Sequence, residues 1–149
     1  MKLIEYYITQ QTSNGVKKFE ILEHKADLKI KTFGNTRKEL FINMLLGMEE
    51  NLRPEITDEK GKQTIKVVSL DSETLLVDFL SQILYLNHIN QAIYNDVKFN
   101  KFTEIELEGE LIGQKVESFG EEIKAVTYHD LDIIQKENGK WEAIVLFDV

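Results

Sequence analysis

The stretch IKAVTYHDLDIIQKENGKWEAIVLFDV, residues 123–149, decides the fold. Two apolar runs, Ala125 to Ile134 and Trp141 to Phe147, flank Asn138-Gly139. That dipeptide adopts positive φ easily and suits a two-residue type I′ turn, so the stretch predicts a β-hairpin. With Asn138 and Gly139 as the turn, Glu137 faces Lys140 and paired positions sum to 277, placing His129 opposite Asp148 and Tyr128 opposite Val149. A histidine, the carboxylates of Asp130 and Asp148, and the last residue of the sequence thereby gather at one end.

Upstream of the hairpin the apolar period is also two. Val97 and Phe99, then Thr103, Ile105 and Leu107 against Glu104, Glu106 and Glu108, then Leu111 to Val116, predict short antiparallel strands joined at Gly109 or nearby. Before them Leu75, Leu76, Phe79, Leu80, Ile83 and Leu84 recur at helical spacing, with Asp71 or Ser72 as cap, predicting a helix over 72–88. Gly61 to Leu70 reads as a strand. A second helix, over 36–52, is opened by the capping box Thr36-x-x-Glu39 after a Gly34-Asn35 turn and carries Leu40, Phe41, Met44, Leu45 and Met48 on its apolar face. Phe19 to Thr32 is a strand pattern broken at Glu23 to Asp27, which marks a bulge or a strand end. Met1 to Val16 is an extra edge strand or a loose arm. Strands with two intervening helices and a closing series of hairpins give an α+β two-layer sandwich with a mainly antiparallel sheet.

At 149 residues the chain fits one domain able to bury roughly 68–70% of its unfolded surface. It has no cysteine, so disulfides and thiolate metal sites are excluded and any metal must be held by oxygen or imidazole. The start, MKLIEYYITQQ, lacks the pattern of a signal peptide, and no run approaches the length of a membrane span. A soluble, cytoplasmic protein is expected. A net charge of −8 without a basic stripe argues against direct nucleic-acid binding and suits a cation or a basic protein partner.

No G-x-G-x-x-G, P-loop, H-E-x-x-H or G-x-S-x-G pattern occurs, so no catalytic residue is assigned. Carboxylates carry what chemistry remains. Glu23, His24 and Asp27 lie at the strand break; His129, Asp130 and Asp148 lie at the hairpin end. Asp27 and Asp148 either share a hard divalent cation, if the first strand lies beside the last, or stand as separate exposed acids. Lys124 begins the last sheet segment, as a plain salt-bridge partner or as a partner-facing cation. His88 sits at a helix end, where a cap or an exposed position is its ordinary reading, and Trp141 belongs with the core.

These stretches resemble the archease family. The resemblance rests on H-K-A-D (His24 to Asp27), L-L-G-M (Leu45 to Met48), L-L-V-D-F-L-S-Q-I-L-Y-L (Leu75 to Leu86), I-K-A-V-T-Y-H-D (Ile123 to Asp130) and V-L-F-D-V (Val145 to Val149), in order over residues 19–149. It implies a non-enzymatic activator of an RtcB-type RNA ligase in tRNA splicing and RNA repair, promoting GTP-dependent guanylylation of the ligase and its multiple turnover. It also implies a divalent metal (calcium, magnesium or manganese) on Asp27, Asp148 and a terminal or main-chain oxygen of Val149, with Lys124 acting toward the ligase. A general chaperone or protein-modulating module is the alternative, and a metal-dependent hydrolase using Asp27, Asp148 and His129 a third. The sequence departs from the family pattern in three places: Lys25 stands where threonine is usual, the loop before Lys124 is shortened to Gly120-Glu121-Glu122-Ile123, and Met1 to Lys18 has no counterpart.

Overall fold

The computed structural model describes residues 12–13, 16–24 and 27–149, with the backbone alone for 12, 13, 23 and 24. In chain order they form β1 (Thr12–Ser13), β2 (Val16–Lys17), β3 (Phe19–His24), β4 (Asp27–Gly34), α1 (Arg37–Asn51), β5 (Pro54–Val68), α2 (Ser72–Asn90), β6 (Ala92–Phe102), β7 (Glu106–Phe119), β8 (Ala125–Gln135) and β9 (Trp141–Asp148). The architecture is an α+β sandwich. Among the described residues all strand pairings are antiparallel, in three sheets rather than one: β1-β2, β3-β4-β9-β8 and β5-β7-β6. Both helices bear on the two larger sheets, α1 through β4 and β6, α2 through β8 and β6.

Local chemistry sets both helix starts. The Thr36 hydroxyl accepts from the Glu39 amide at 3.1 Å while the Glu39 carboxylate accepts from the Asn35 amide at 3.2 Å, which is a capping box displaced by one residue. Asp71 caps α2 by accepting from the Thr74 amide at 2.7 Å. The apolar stripe of each helix is buried, with Phe41, Met44 and Met48 of α1 and Phe79, Leu80 and Ile83 of α2 all in one core with Val145 and Phe147. Burying such side chains contributes about 1.5–3 kcal/mol each.

Several boundaries differ from expectation. The break at Glu23 to Asp27 is a strand end, and β3 folds back on β4 with a register shift between Ile21 and Glu23. The strand expected at Gly61 begins at Pro54; its first half is polar because it pairs through the backbone at a sheet edge, with irregular register up to Lys60. Gly109 is not a turn but lies inside the long β7, where a Cβ would stand 2.6 Å from the Lys98 carbonyl oxygen. Glycine there admits the close backbone of β6 beside a register shift. The turn falls at Thr103 to Glu106 instead, closed by the Thr103 amide on the Glu106 carbonyl at 2.8 Å.

The hairpin forms with a different turn. The Gly139 amide donates to the Lys136 carbonyl and the Lys136 amide to the Lys140 carbonyl, both at 2.8 Å, with Gly139 at φ 86°. Three residues, Glu137 to Gly139, therefore make the loop, a turn followed by a left-handed glycine. Pairs near it sum to 276, as in Gln135 with Trp141, and beyond a register shift between Thr127 and Asp132 they sum to 273. His129 is consequently not opposite Asp148, nor Tyr128 opposite Val149. Ala125 is the partner of Asp148, and Tyr128 to Leu131 bulge out of the ladder with Asp130 at φ 54°. The readings placed on residues 1–11 and on Lys25 fall outside the described residues.

Candidate functional site

Strand β9 lies between β4 and β8, so residues far apart in sequence meet across it. Along β4, Leu28, Ile30 and Thr32 are buried; along β9, Ala143, Val145 and Phe147 are. Alternation therefore turns Asp27 and Asp148 to the opposite, open face. The two are direct cross-strand partners, and both are exposed. On the other side of Asp148 the Lys124 amide donates to its carbonyl at 2.7 Å. Val149 is partly buried against the core.

Like charges set directly opposite on adjacent strands destabilise a sheet. The next residue on the same face of β4 is Lys29, whose ammonium is 4.0 Å from Asp130, a long contact to a largely exposed carboxylate. Two facing carboxylates fit a hard cation, the rest of whose shell would fall to main-chain oxygen, water or a partner. Among the described residues no three or more His, Asp or Glu side chains converge into a preformed cage.

His24 and Glu23 pair by backbone with Leu28 and Lys29, one rung and two rungs from Asp27. His129 and Asp130 are exposed in the bulge, on the strand that flanks β9 on its other side. Lys124 is exposed and lines a groove of about 650 Å³ with Ser81, Leu84, Tyr85, His88 and Val126. His88 is at the end of α2, as expected, edge-on to Phe119 at 5.2 Å.

The family model of the Archease protein family (MTH1598/TM1083) matches residues 19–149. The chain belongs to the archease family. It is similar to protein archease of Methanosarcina barkeri, 33% identical over an alignment of 147 positions, with 92% of this chain and 99% of the relative covered. The solution structure of Methanobacterium thermoautotrophicum protein 1598 superposes with a TM-score of 0.65 at 26% identity, covering 88% of this chain and 98% of that one. A Thermotoga maritima archease, described as a possible chaperone, shares the fold at TM-score 0.65 and 22% identity, covering 86% and 94%.

Two arrangements in this archease chain were missed by sequence reasoning. Asp78, the acid inside the L-L-V-D-F-L run, accepts from the Tyr128 hydroxyl and from the Ser69 hydroxyl, each at 2.6 Å. It ties the bulge of β8 and the entry of α2 together, and the bond to Asp78 holds the Tyr128 phenol above its ordinary pKa. The signal was available, since an acid on a helix flank that packs against a sheet needs a partner. Glu49 is fully buried and both of its oxygens lie 2.9 Å from the Asn87 amide nitrogen. Burial pushes its pKa well up, against the opposing effect of Asn87 and of the Tyr94 backbone. Neighbouring Glu50 is raised to about 7, again by burial and against the pull of Lys18. Nothing in the spacing of Met48-Glu49-Glu50 separates these acids from solvated ones.

The 120–123 loop is pinned by its backbone: the Gly120 and Glu121 amides donate to the Arg53 and Leu52 carbonyls at 2.8 and 3.1 Å. It takes β7 to β8, and so from one sheet to the other, along the end of α1. No helix among the described residues is long and apolar enough to cross a membrane.

Proposed function

We propose that the chain activates an RtcB-type RNA ligase, promoting guanylylation of the ligase by GTP and sustaining its turnover, while carrying out no covalent chemistry itself. The observation that supports this best is the rung Asp27–Asp148 beside Lys124, within a chain of the archease family. Asp27, Asp148 and a main-chain oxygen of Val149 would hold a divalent calcium, magnesium or manganese ion. Such an ion supplies positive charge for phosphate oxygens and orients them. The chain's own part is placement. β4 and β9 fix the two carboxylates by register, and the backbone bond from Lys124 to Asp148 fixes the start of β8 beside them. Lys124 then offers an ammonium to an anion on the partner, and the net charge of −8 favours encounter with a basic, RNA-handling surface. The setting for this work is tRNA splicing and RNA repair in the cytoplasm.

The test is a guanylylation assay with a cognate ligase, GTP and manganese. Faster formation of the guanylylated ligase with the purified chain is expected; an unchanged rate would overturn the reading. The second reading, a general chaperone or protein-modulating module, draws on the description given to the Thermotoga structure. It would be favoured by suppressed aggregation of proteins unrelated to the ligase.

A further inference from the structure

We propose that the recess between the β5–α2 connection and the β6–β7 turn is a docking surface for the partner ligase, receiving a segment in which a bulky apolar side chain is flanked by Lys or Arg. This rests on the function proposed above and adds where the partner is held.

The two loops that form the recess carry residues that neither turns nor the core require. Leu70, between Ser69 and the helix cap Asp71, is 92% exposed, and Ile105, beside Glu104 in the Thr103 to Glu106 turn, is 48% exposed. Gly, Pro, Asn, Asp and Ser are the residues that turns favour, each for a physical reason that leucine and isoleucine lack. Here the capping and turn-closing work is done by others: Asp71 accepts from Thr74, and the Thr103 hydroxyl accepts from the Ile105 and Glu106 amides at 3.3 and 3.0 Å. The loops are also held together, since the Ser69 amide donates to the Ile105 carbonyl at 2.8 Å. Leu70 and Ile105 therefore stand side by side on a fixed frame.

Between them opens a recess of about 340 Å³ that also includes Ile133 and Trp141. Among the described residues its charged lining is Asp71, Glu73 and Glu104 against the cation Arg37. Arg37 is already engaged: its Nη2 donates to the Ser72 hydroxyl at 2.6 Å and its guanidinium lies 4.9 Å over the Phe102 ring. The lining thus combines the apolar residues Leu70, Ile105, Ile133 and Trp141 with net negative charge, and the complementary occupant joins an apolar side chain to basic neighbours. A ligase that grips RNA must neutralise phosphates with Lys and Arg, which places basic side chains on its surface.

Position separates this surface from the carboxylate rung. Trp141 and Asp148 are the two ends of β9, roughly 23 Å apart at the rise of an extended strand. A partner held at the Trp141 end leaves the Asp148 end free to act.

The experiment is a binding titration of a cognate ligase with the wild-type chain, with a Leu70→Ser/Ile105→Ser double variant and with Glu104→Lys. Each variant is also assayed for stimulated guanylylation, and thermal unfolding checks its fold. The double variant should raise Kd at least tenfold and still stimulate when saturating; Glu104→Lys should weaken binding and flatten its salt dependence. If the double variant binds within twofold of wild type while wild type binds and stimulates, the docking surface is wrong and the function stands. Self-association of the wild-type chain that the double variant abolishes, with ligase binding unchanged, would assign the surface to a second copy and overturn the proposal. A wild-type chain that neither binds nor stimulates the ligase brings down the function, and the docking surface with it.

Discussion

The Tyr128 hydroxyl donates to the Asp78 carboxylate across 2.6 Å, bridging a strand bulge and a helix through a side chain whose ring is itself more than half exposed. A hydrogen bond to a charged acceptor contributes about 1.5–3 kcal/mol where it is shielded, and the exposure here reduces that. Tyr128→Phe should therefore cost about 0.5–1.5 kcal/mol in chemical denaturation. Amide exchange should quicken in Tyr128 to Leu131 ahead of the rest of β8. Uniform protection along that strand would show that the bond does not hold the bulge.

Removing one charge from the facing pair separates its cost from its use. In chelator, Asp148→Asn should leave stability unchanged or raise it by a few tenths of a kcal/mol, because like charges no longer face one another. Manganese at about a hundredfold its Kd should stabilise wild type by about 2.7 kcal/mol and the variant by far less. Equal metal-induced shifts in melting temperature for the two proteins would remove Asp148 from the site.

The raised acids on α1 give stability a pH dependence of definite sign. Burial raises the Glu50 carboxyl from its ordinary 4.5 to about 7 in the fold, so between those values the folded state holds a proton that the unfolded state has lost. Stability from this source is full below pH 4.5 and declines as pH rises to about 7. Glu50→Gln should flatten the fall in melting temperature across that window relative to wild type. A parallel pair of curves would contradict the burial of the Glu50 carboxyl.

Glu49 should behave as a neutral acid. Burial raises its pKa well above 4.5, so Glu49→Gln replaces one uncharged hydrogen-bonding group by another and should cost about 1 kcal/mol or less. Glu49→Ala removes the carboxyl that accepts from Asn87, leaving that amide only the Ala92 carbonyl, and opens a void, so it should cost about 2–4 kcal/mol. Equal losses in the two variants, read by denaturant titration, would mean that the buried group is ionised.

Two glycines in the three-stranded sheet should respond oppositely to a methyl group. A Cβ on Gly113 would fall within bonding distance of the Ile93 carbonyl oxygen, whereas one on Gly61 would meet the Ala92 Cβ at 3.6 Å, an ordinary contact. Gly113→Ala should cost about 3 kcal/mol or more, and Gly61→Ala should stay within about 1 kcal/mol of wild type. Comparable stabilities for both would show that β6 can retreat.

Much of this was legible in the residues. The Thr36 and Asp71 caps and the apolar stripes of both helices fix where α1 and α2 lie, because those signals act within a few positions. What could not be read was anything set by contact across the chain. Asn138-Gly139 suits two kinds of loop, and one extra residue in the turn moved the register by one. The Tyr128 to Leu131 bulge moved it by three more, and the Tyr128 hydroxyl within it bonds to Asp78, fifty positions away. The same limit applied to Asp27 and Asp148, named as candidates from their residue type and from the family resemblance. Their facing positions follow from the placement of β9 between β4 and β8.

That placement also has a consequence for how the chain folds as it is made. β4 and β8 emerge from the ribosome before the strand that belongs between them, so each waits with unpaired backbone toward the gap, and the four-stranded sheet closes only when β9 enters. The late strand carries Asp148, so the carboxylate pair is assembled in the same step that removes two sticky edges. A chain stalled or clipped before β9 would lack the carboxylate pair and leave both edges open to aggregation at once, a coupling between the rung and solubility set by strand order.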